Sequence, residues 1–395
     1  MIKPKVVSFK FSKRPDENEM RQALESIFNE LQIKEESVKN KTIIIKPNVV
    51  VAAEPESGAV TDPVLCKVIA DLLVESGAEP IIAESSAVGV DTEKAFEKAG
   101  YLKLRELGYK VIDLKKDETV RVRIPNGKEL KEIDLPKTVI EADFVISVPK
   151  MKTHDQALVT LSMKNLKGLI PDKFKRAFHT DYGVFSAVVD LCKVVKCKIQ
   201  IVDGIIAQEG YGPIFGTPVD MNLIIGGNNL VATDAIAAYV MGFNPKDDEI
   251  IRIAAEEGLG PLDLEDIEIV GDVNAVRRKF KSANEAILEM LDFPPNFELI
   301  FNERACTGCR NTVLSALMDA KAENLLEKME NTVLVVGKIE CKFDVNKYKG
   351  KKVVIVGKCA KELKHLGTYV KGCPPNNRDV VSALVGGEKG ARYWK

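Results

Sequence analysis

Several signatures that would identify an enzyme class at sight are missing from this chain. No G-x-G-x-x-G, no G-x4-G-K-[ST] and no G-x-S-x-G occurs where a strand, turn and helix would present it, which argues against ordinary dinucleotide, nucleoside triphosphate and serine-hydrolase chemistry. No run approaches the roughly 18 consecutive apolar residues of a membrane span, and Met1 to Lys13 lack the apolar block of a signal peptide. A cytoplasmic protein without a membrane span is therefore expected. The chain has no internal repeat, no low-complexity tract and no arginine-aromatic pattern, so no nucleic-acid partner is expected. Histidine is scarce, with three residues in 395.

Cysteine, by contrast, is concentrated. In a chain too large to need disulfide staples and without a secretory signal, eight cysteines point to free thiols and metal ligands in a reducing compartment. Cys306 and Cys309 form C-x2-C in Ala-Cys-Thr-Gly-Cys-Arg, Cys359 follows in Val-Gly-Lys-Cys-Ala, and Cys373 opens Cys-Pro-Pro. A close pair followed by two distant single cysteines lets three loops converge on one soft metal centre. A [4Fe-4S] cluster is the expected cofactor. Zinc is the alternative, although structural zinc sites usually join two close knuckles and only one is present; redox or buried thiols are a third reading. Cys341 stands as a spare ligand. Cys66, Cys192 and Cys197 sit in apolar segments and read as packing residues.

The first 300 residues alternate strand-like apolar runs with helical patterns, the mark of an α/β unit with a largely parallel sheet. Strands are expected at 41–45, 79–83, 109–113, 144–148, 199–202 and 221–226. Helices are expected between Asp62 and Gly77, with Pro63 in the first turn, and at 91–99, 183–195, 232–241 and 246–257. The segment 118–134, with Val120, Val122 and Ile124 alternating with charge before Pro-Asn-Gly, reads as a β-hairpin. The pattern breaks at Phe293-Pro-Pro-Asn296. Two domains follow from this: an α/β domain over 1–300 and a smaller α/β cluster-binding domain over 301–395, with a helix after Cys309, strands at 333–336 and 353–356, and a helix from Arg378.

The net charge of −1 hides an asymmetry: residues 301–395 carry 18 Lys and Arg against 10 Asp and Glu. Scattered lysines fit a solvated face, compensation for an anionic cluster, or docking of an acidic electron carrier such as a ferredoxin.

Polar turns follow several strands of the large unit: Lys46-Pro-Asn48, Glu84-Ser-Ser86, Lys150-Met-Lys-Thr-His154 and Asp203-Gly204. Strand exits of a parallel sheet share one edge, so Lys46, Asn48, Glu84, Lys150, Lys152, His154 and Asp203 are expected to line one cleft. Ser162-Met-Lys-Asn-Leu-Lys-Gly168 adds Lys164, Asn165 and Lys167, and Phe178-His-Thr-Asp181 adds His179. Such a set suits a small anion bearing carboxylate or phosphate groups. His154, His179 and Lys152 are the expected catalytic groups and the others bind substrate. A capping or core role is equally open to either histidine, and His365, among lysines, reads as exposed. The glycine-rich stretch from Asp203 to Gly216 reads as a loop.

In order along the chain, Lys46-Pro-Asn-Val49, Thr61-Asp-Pro63, Pro149-Lys-Met-Lys-Thr-His154, Ser162 to Gly168, Asp203-Gly204, Gly210-Tyr-Gly-Pro213 and Ala232-Thr-Asp234 resemble the family called domain of unknown function three-six-two. The resemblance covers about residues 40 to 245 and implies an iron-sulfur association but no reaction. Many members carry a ferredoxin insert, which this chain lacks. Its C-x-G-C and G-C-P-P segments are instead similar to the cluster-binding small subunits of hydrogenases and quinone oxidoreductases.

The resulting expectation is a redox enzyme that passes electrons from the cluster to a small anionic substrate. An electron-transfer or scaffold protein without substrate chemistry is the alternative, and a dehydratase-like use of an open iron is a third. The oligomeric state is left open.

Overall fold

The structure, a computed structural model, describes residues 3–301, 305, 307–337 and 345–387. Cys306 and the spare Cys341 lie outside the described residues.

A mixed ten-stranded sheet organises the larger part of this α/β chain. In chain order its strands are β1 (Lys5–Lys10), β2 (Thr42–Pro47), β3 (Glu79–Glu84) and β4 (Val111–Asp113). The hairpin β5 (Thr119–Arg123) and β6 (Glu132–Pro136) follows as a separate ribbon. The sheet then resumes with β7 (Phe144–Val148), β8 (Lys150–Thr153), β9 (Val159–Thr160), β10 (Cys197–Glu209), β11 (Thr217–Gly227) and β12 (Glu268–Val270). The strand order is β12-β1-β11-β10-β7-β2-β3-β4, with β8 and β9 added beside β10. Strands β10, β7, β2, β3 and β4 run parallel.

Burial on both faces explains why β2 reads Thr-Ile-Ile-Ile-Lys-Pro without polar alternation. Ile43 and Ile45 enter one core with Leu24, Ile27, Leu65 and Ile69 from the helices Glu17–Glu30 and Pro63–Glu75. Ile44 enters the opposite core with Val188, Ile236 and Ile251 from helices Val184–Cys192, Leu230–Val240 and Glu249–Glu256. The Pro63–Glu75 helix starts as its sequence indicates: Asp62 accepts from Val64 N at 2.9 Å and Pro63 occupies the first turn, sparing one unsatisfied donor and removing another.

Two local readings change, and one strand that was not expected, β1, is added. Lys150–Thr153 is a strand, since β8 pairs parallel with β10 and antiparallel with β9. Asp203–Glu209 extends β10, and the glycine turn begins at Gly210. Strand β1, flanked by lysines and unmarked by periodicity, pairs antiparallel with β11. Its pairing partner lies more than 200 residues away, which no local pattern reveals.

The second sheet is fully parallel and in sequence order: β13 (Glu298–Phe301), β14 (Thr332–Val336), β15 (Lys352–Val356) and β16 (Thr368–Val370). Leu334 and Val336 pack under helices Thr307–Ala322 and Asn377–Val385, while Val333 and Val335 enter a small core on the other face. Ile287, from the helix Ala283–Met290, belongs to the first of these cores. Among the described residues no helix is long and apolar enough to cross a membrane.

Candidate functional site between the two sheets

The polar residues at the strand exits meet, and most of them neutralise each other. Lys46 Nζ stands 2.9 Å from Glu84 Oε2, 2.6 Å from the Pro47 carbonyl and 3.2 Å from Asn165 Oδ1. Asn165 returns a bond from Nδ2 to the Lys46 carbonyl at 2.9 Å, and Asn48 Nδ2 reaches Asn165 Oδ1 at 3.2 Å. Glu84 also accepts from the backbone of Val49 and Ser85. Gly168 makes room for this knot: a Cβ there would lie 2.2 Å from Glu84 Oε1 and 2.6 Å from Lys46 Nζ. Burial lowers the Lys46 pKa, and the Glu84 charge opposes that shift.

One strand pair further along, Lys150 Nζ meets Asp203 Oδ2 at 2.8 Å, because β8 and β10 place the two residues opposite one another. Lys152 is fully buried and has no carboxylate; it donates to the carbonyls of Ala59 at 2.6 Å and Pro213 at 3.1 Å. Burial, with the charges of Lys164 and Lys150 added, holds its pKa well below the usual range. Lys175 is spent on the Ser85 carbonyl and hydroxyl and the Ser86 carbonyl.

A second, less neutralised group lies toward the smaller sheet. Lys167 Nζ is 2.7 Å from His179 Nε2, and His179 Nδ1 has no partner among the described residues. Burial and then neighbouring lysine charge depress both groups far below their ordinary pKa values. His154 Nδ1 accepts from the backbone N–H of Gln156 at 2.8 Å and of Ala157 at 3.2 Å. Asp155 Oδ1 also stands 2.9 Å from that nitrogen, a contact that would favour a proton on Nδ1. Two backbone donors aimed at the same atom select the neutral ring with its proton on Nε2. Burial and the Lys164 charge agree, pushing the His154 pKa down to about 4.

The thiols come from the other side. Gly357, at φ +105°, follows β15, and a Cβ on it would lie 3.1 Å from Cys309 Sγ and 3.8 Å from Cys359 Sγ. Gly337, after β14, bears on Ala305 in the same way. The cysteine segments therefore gather at the carboxyl edge of the parallel sheet, where open α/β sheets place their sites. The Cys373 segment joins them: Lys358 N donates to the Gly372 carbonyl at 2.8 Å, and Pro374 packs 3.3 Å from the position of a Cβ on Gly308. Among the described residues no three Cys, His, Asp or Glu side chains form a metal-binding set; the fourth expected ligand, Cys306, is not one of those residues. Cys309 and Cys359, whose sulfurs both lie near Gly357, carry the donor type that an iron-sulfur cluster or zinc takes.

Two seams bind the thiol edge to the histidine group. Asn311 Nδ2, one helical half-turn beyond Cys309, donates to the carbonyls of His154 and Ala157, and Ser315 Oγ reaches Asp155 Oδ2 at 3.2 Å. Val184 N donates to the Cys373 carbonyl at 2.9 Å, five residues beyond His179. Asn311, Ser315 and Asp155 carried no motif of their own; adjacency of Asp155 to His154 was the single sequence clue. His365 is exposed, and Cys66 is buried in the core.

Residues 43–239 match the family described as "Domain of unknown function (DUF362)". Over that segment, just under half of the chain, the sequence is similar to the DUF362 family. Every lysine, histidine and carboxylate of the strand-exit groups named above, from Lys46 to Asp203, falls within the DUF362 segment, whereas the cysteine edge lies outside it. The chain is 29% identical over 224 residues to a thylakoid-associated protein of Synechocystis sp., an alignment covering 55% of this chain and 68% of that protein. The lactate racemase apoprotein from Thermoanaerobacterium thermosaccharolyticum overlays 94% of this chain and 88% of its own at TM-score 0.37 and 14% identity, a likeness too loose to carry chemistry over.

Proposed function

We propose that this protein is a cytoplasmic iron-sulfur redox enzyme acting on a small carboxylate- or phosphate-bearing substrate. The observation that supports it most is the direct hydrogen-bonded seam between the Cys309-bearing helix and the His154 segment. Electron transfer weakens steeply with distance, so a cluster can serve a substrate only where the two sites adjoin. Cys306, Cys309, Cys359 and Cys373 would hold a [4Fe-4S] cluster, whose contribution is one electron at a time. The chain's own residues bind and orient: the Lys164 ammonium supplies positive charge, and neutral His154 offers an Nε2–H donor that stays uncharged at neutral pH. Cys359 is exposed beside exposed Lys358, Lys361, Lys364 and Lys371, a basic rim that suits an acidic electron carrier.

Anaerobic reconstitution followed by iron and sulfide quantitation and electron paramagnetic resonance, with and without oxalate or inorganic phosphate, tests this. Four irons per chain, a reducible signal, and its loss in Cys373→Ser are expected. Stoichiometric zinc with no iron, or an unchanged cluster spectrum in Cys373→Ser, would overturn the assignment. A cluster whose signal and thermal stability ignore every small anion favours the electron-transfer reading, for which the exposed basic rim already speaks.

A further inference from the structure

Six lysines of the larger unit, Lys46, Lys150, Lys152, Lys164, Lys167 and Lys175, are withdrawn from solvent fully or in part. Five of them have partners: Glu84 for Lys46, Asp203 for Lys150, two carbonyls for Lys152, His179 for Lys167 and the Ser85-Ser86 segment for Lys175. Lys164 differs. It is half-buried on the short helix Ser162–Asn165, and among the described residues its ammonium is in no hydrogen bond or ion pair. A buried or half-buried ammonium without a partner is costly to leave so.

We infer that Lys164 is the anchoring ammonium of a small-anion site, binding a carboxylate or phosphate group. This rests on the anion-binding half of the proposed function and not on its metal. The charges around Lys164 support it. Its field acts on Lys152, His154, Lys167 and His179, all cationic or neutral groups. The carboxylates that oppose it are Asp155, already engaged by Ser315, and Asp248, which caps the helix Glu249–Glu256; Asp234, which lines the same small cavity as Lys164, is engaged by the backbone N–H groups of Ser162 and Met163. No described residue accepts from His154 Nε2, so its proton is also available. Burial brings Lys164 down to about 8 against the pull of those two carboxylates. An anion arriving beside it restores its proton, so binding near pH 8 takes up hydrogen ion.

The other lysines of the expected cleft then acquire a different role. Lys46 spends all three of its N–H donors, and Lys150 and Lys152, at 1% exposure or less, hold strand exits together out of reach of a ligand.

Limited acetylation of the full-length, metal-free protein with acetic anhydride at pH 7, read by peptide mass mapping, tests the assignment without any cluster. Lys164 is expected to react faster than Lys46, Lys150, Lys152 and Lys175. Oxalate or inorganic phosphate at ten times its Kd should slow that reaction about tenfold, and whichever protects identifies carboxylate or phosphate as the ligand group. Lys164→Met should keep the anion-free Tm and lose the anion-induced rise, with Lys164→Arg restoring it. Acetylation of Lys164 no faster than of the four sealed lysines, protection by neither anion, or an undiminished Tm rise in Lys164→Met would each overturn the proposal. A metal-free protein that binds anions through Lys164 yet takes up no iron would remove the redox reading and leave this site standing.

Discussion

Asn311 donates its side-chain amide to the carbonyl of His154 at 3.1 Å, and with the same nitrogen to that of Ala157 at 3.0 Å. One residue of the cysteine-bearing helix thereby fixes the loop that orients the His154 ring. Four expected outcomes follow from this seam and its surroundings.

Asn311→Ala leaves two buried carbonyls without a donor, which costs about 1–3 kcal/mol. Thermal unfolding should begin earlier, and proteolysis should reach the 154–157 segment at temperatures where the parent protein resists. Asn311→Asp, which brings an acceptor instead of a donor, should be at least as damaging. An unchanged melting curve in both variants would show that the two sheets are held by other contacts.

Lys46→Met strands Glu84 in a site where it is 1% exposed. Removing one partner of a buried pair costs about 3–5 kcal/mol, whereas replacing both by apolar groups is far milder. Denaturant titration should therefore find Lys46→Met less stable than Lys46→Met combined with Glu84→Leu. Equal losses in the two would mean that the pair is solvated.

Gly357→Ala forces a side chain into left-handed backbone and into the gap between Cys309 Sγ and Cys359 Sγ. Metal uptake should fall sharply while the larger unit melts as before. Gly386→Ala, which is also left-handed but meets no atom within 4 Å, is the control for strain alone and should retain uptake.

Asp319 lies near Asp155 at the same seam, and burial followed by that charge pushes its carboxyl up to about 7. The folded-state pKa exceeds the unfolded value of about 3.9, so the folded form holds the proton more tightly. The stability this confers is complete below the unfolded pKa and is lost as pH rises through 7. Asp319→Asn, unable to ionise, should show a flatter Tm profile between about pH 4 and 7 and a higher Tm than the parent at pH 8. Identical profiles would place the titration elsewhere.

Much of the architecture was legible along the chain. Residues 41–45 read as a strand, Asp62-Pro63 as a helix start and Pro125-Asn-Gly127 as a hairpin turn, because each rests on contacts within a few residues. Strand β1 and the addition of β8 to β10 were not legible, since both depend on partners distant in sequence. For the strand-exit residues, their common edge could be read from sheet logic alone, but their pairing could not.

That difference separates what the sequence determined from what the tertiary structure decided. Residue type and spacing by themselves established an α/β chain with polar strand exits and a cysteine-rich final quarter. Which lysine meets which carboxylate depends on strand order and register: Lys46 finds Glu84 because β2 and β3 are neighbours, and Lys150 finds Asp203 because β8 lies beside β10. A lysine neutralised in the interior and a lysine held ready for a ligand are the same letter. Only the fold, by placing or withholding a partner at hydrogen-bond distance, makes Lys152 a strut and leaves Lys164 exposed to an incoming charge.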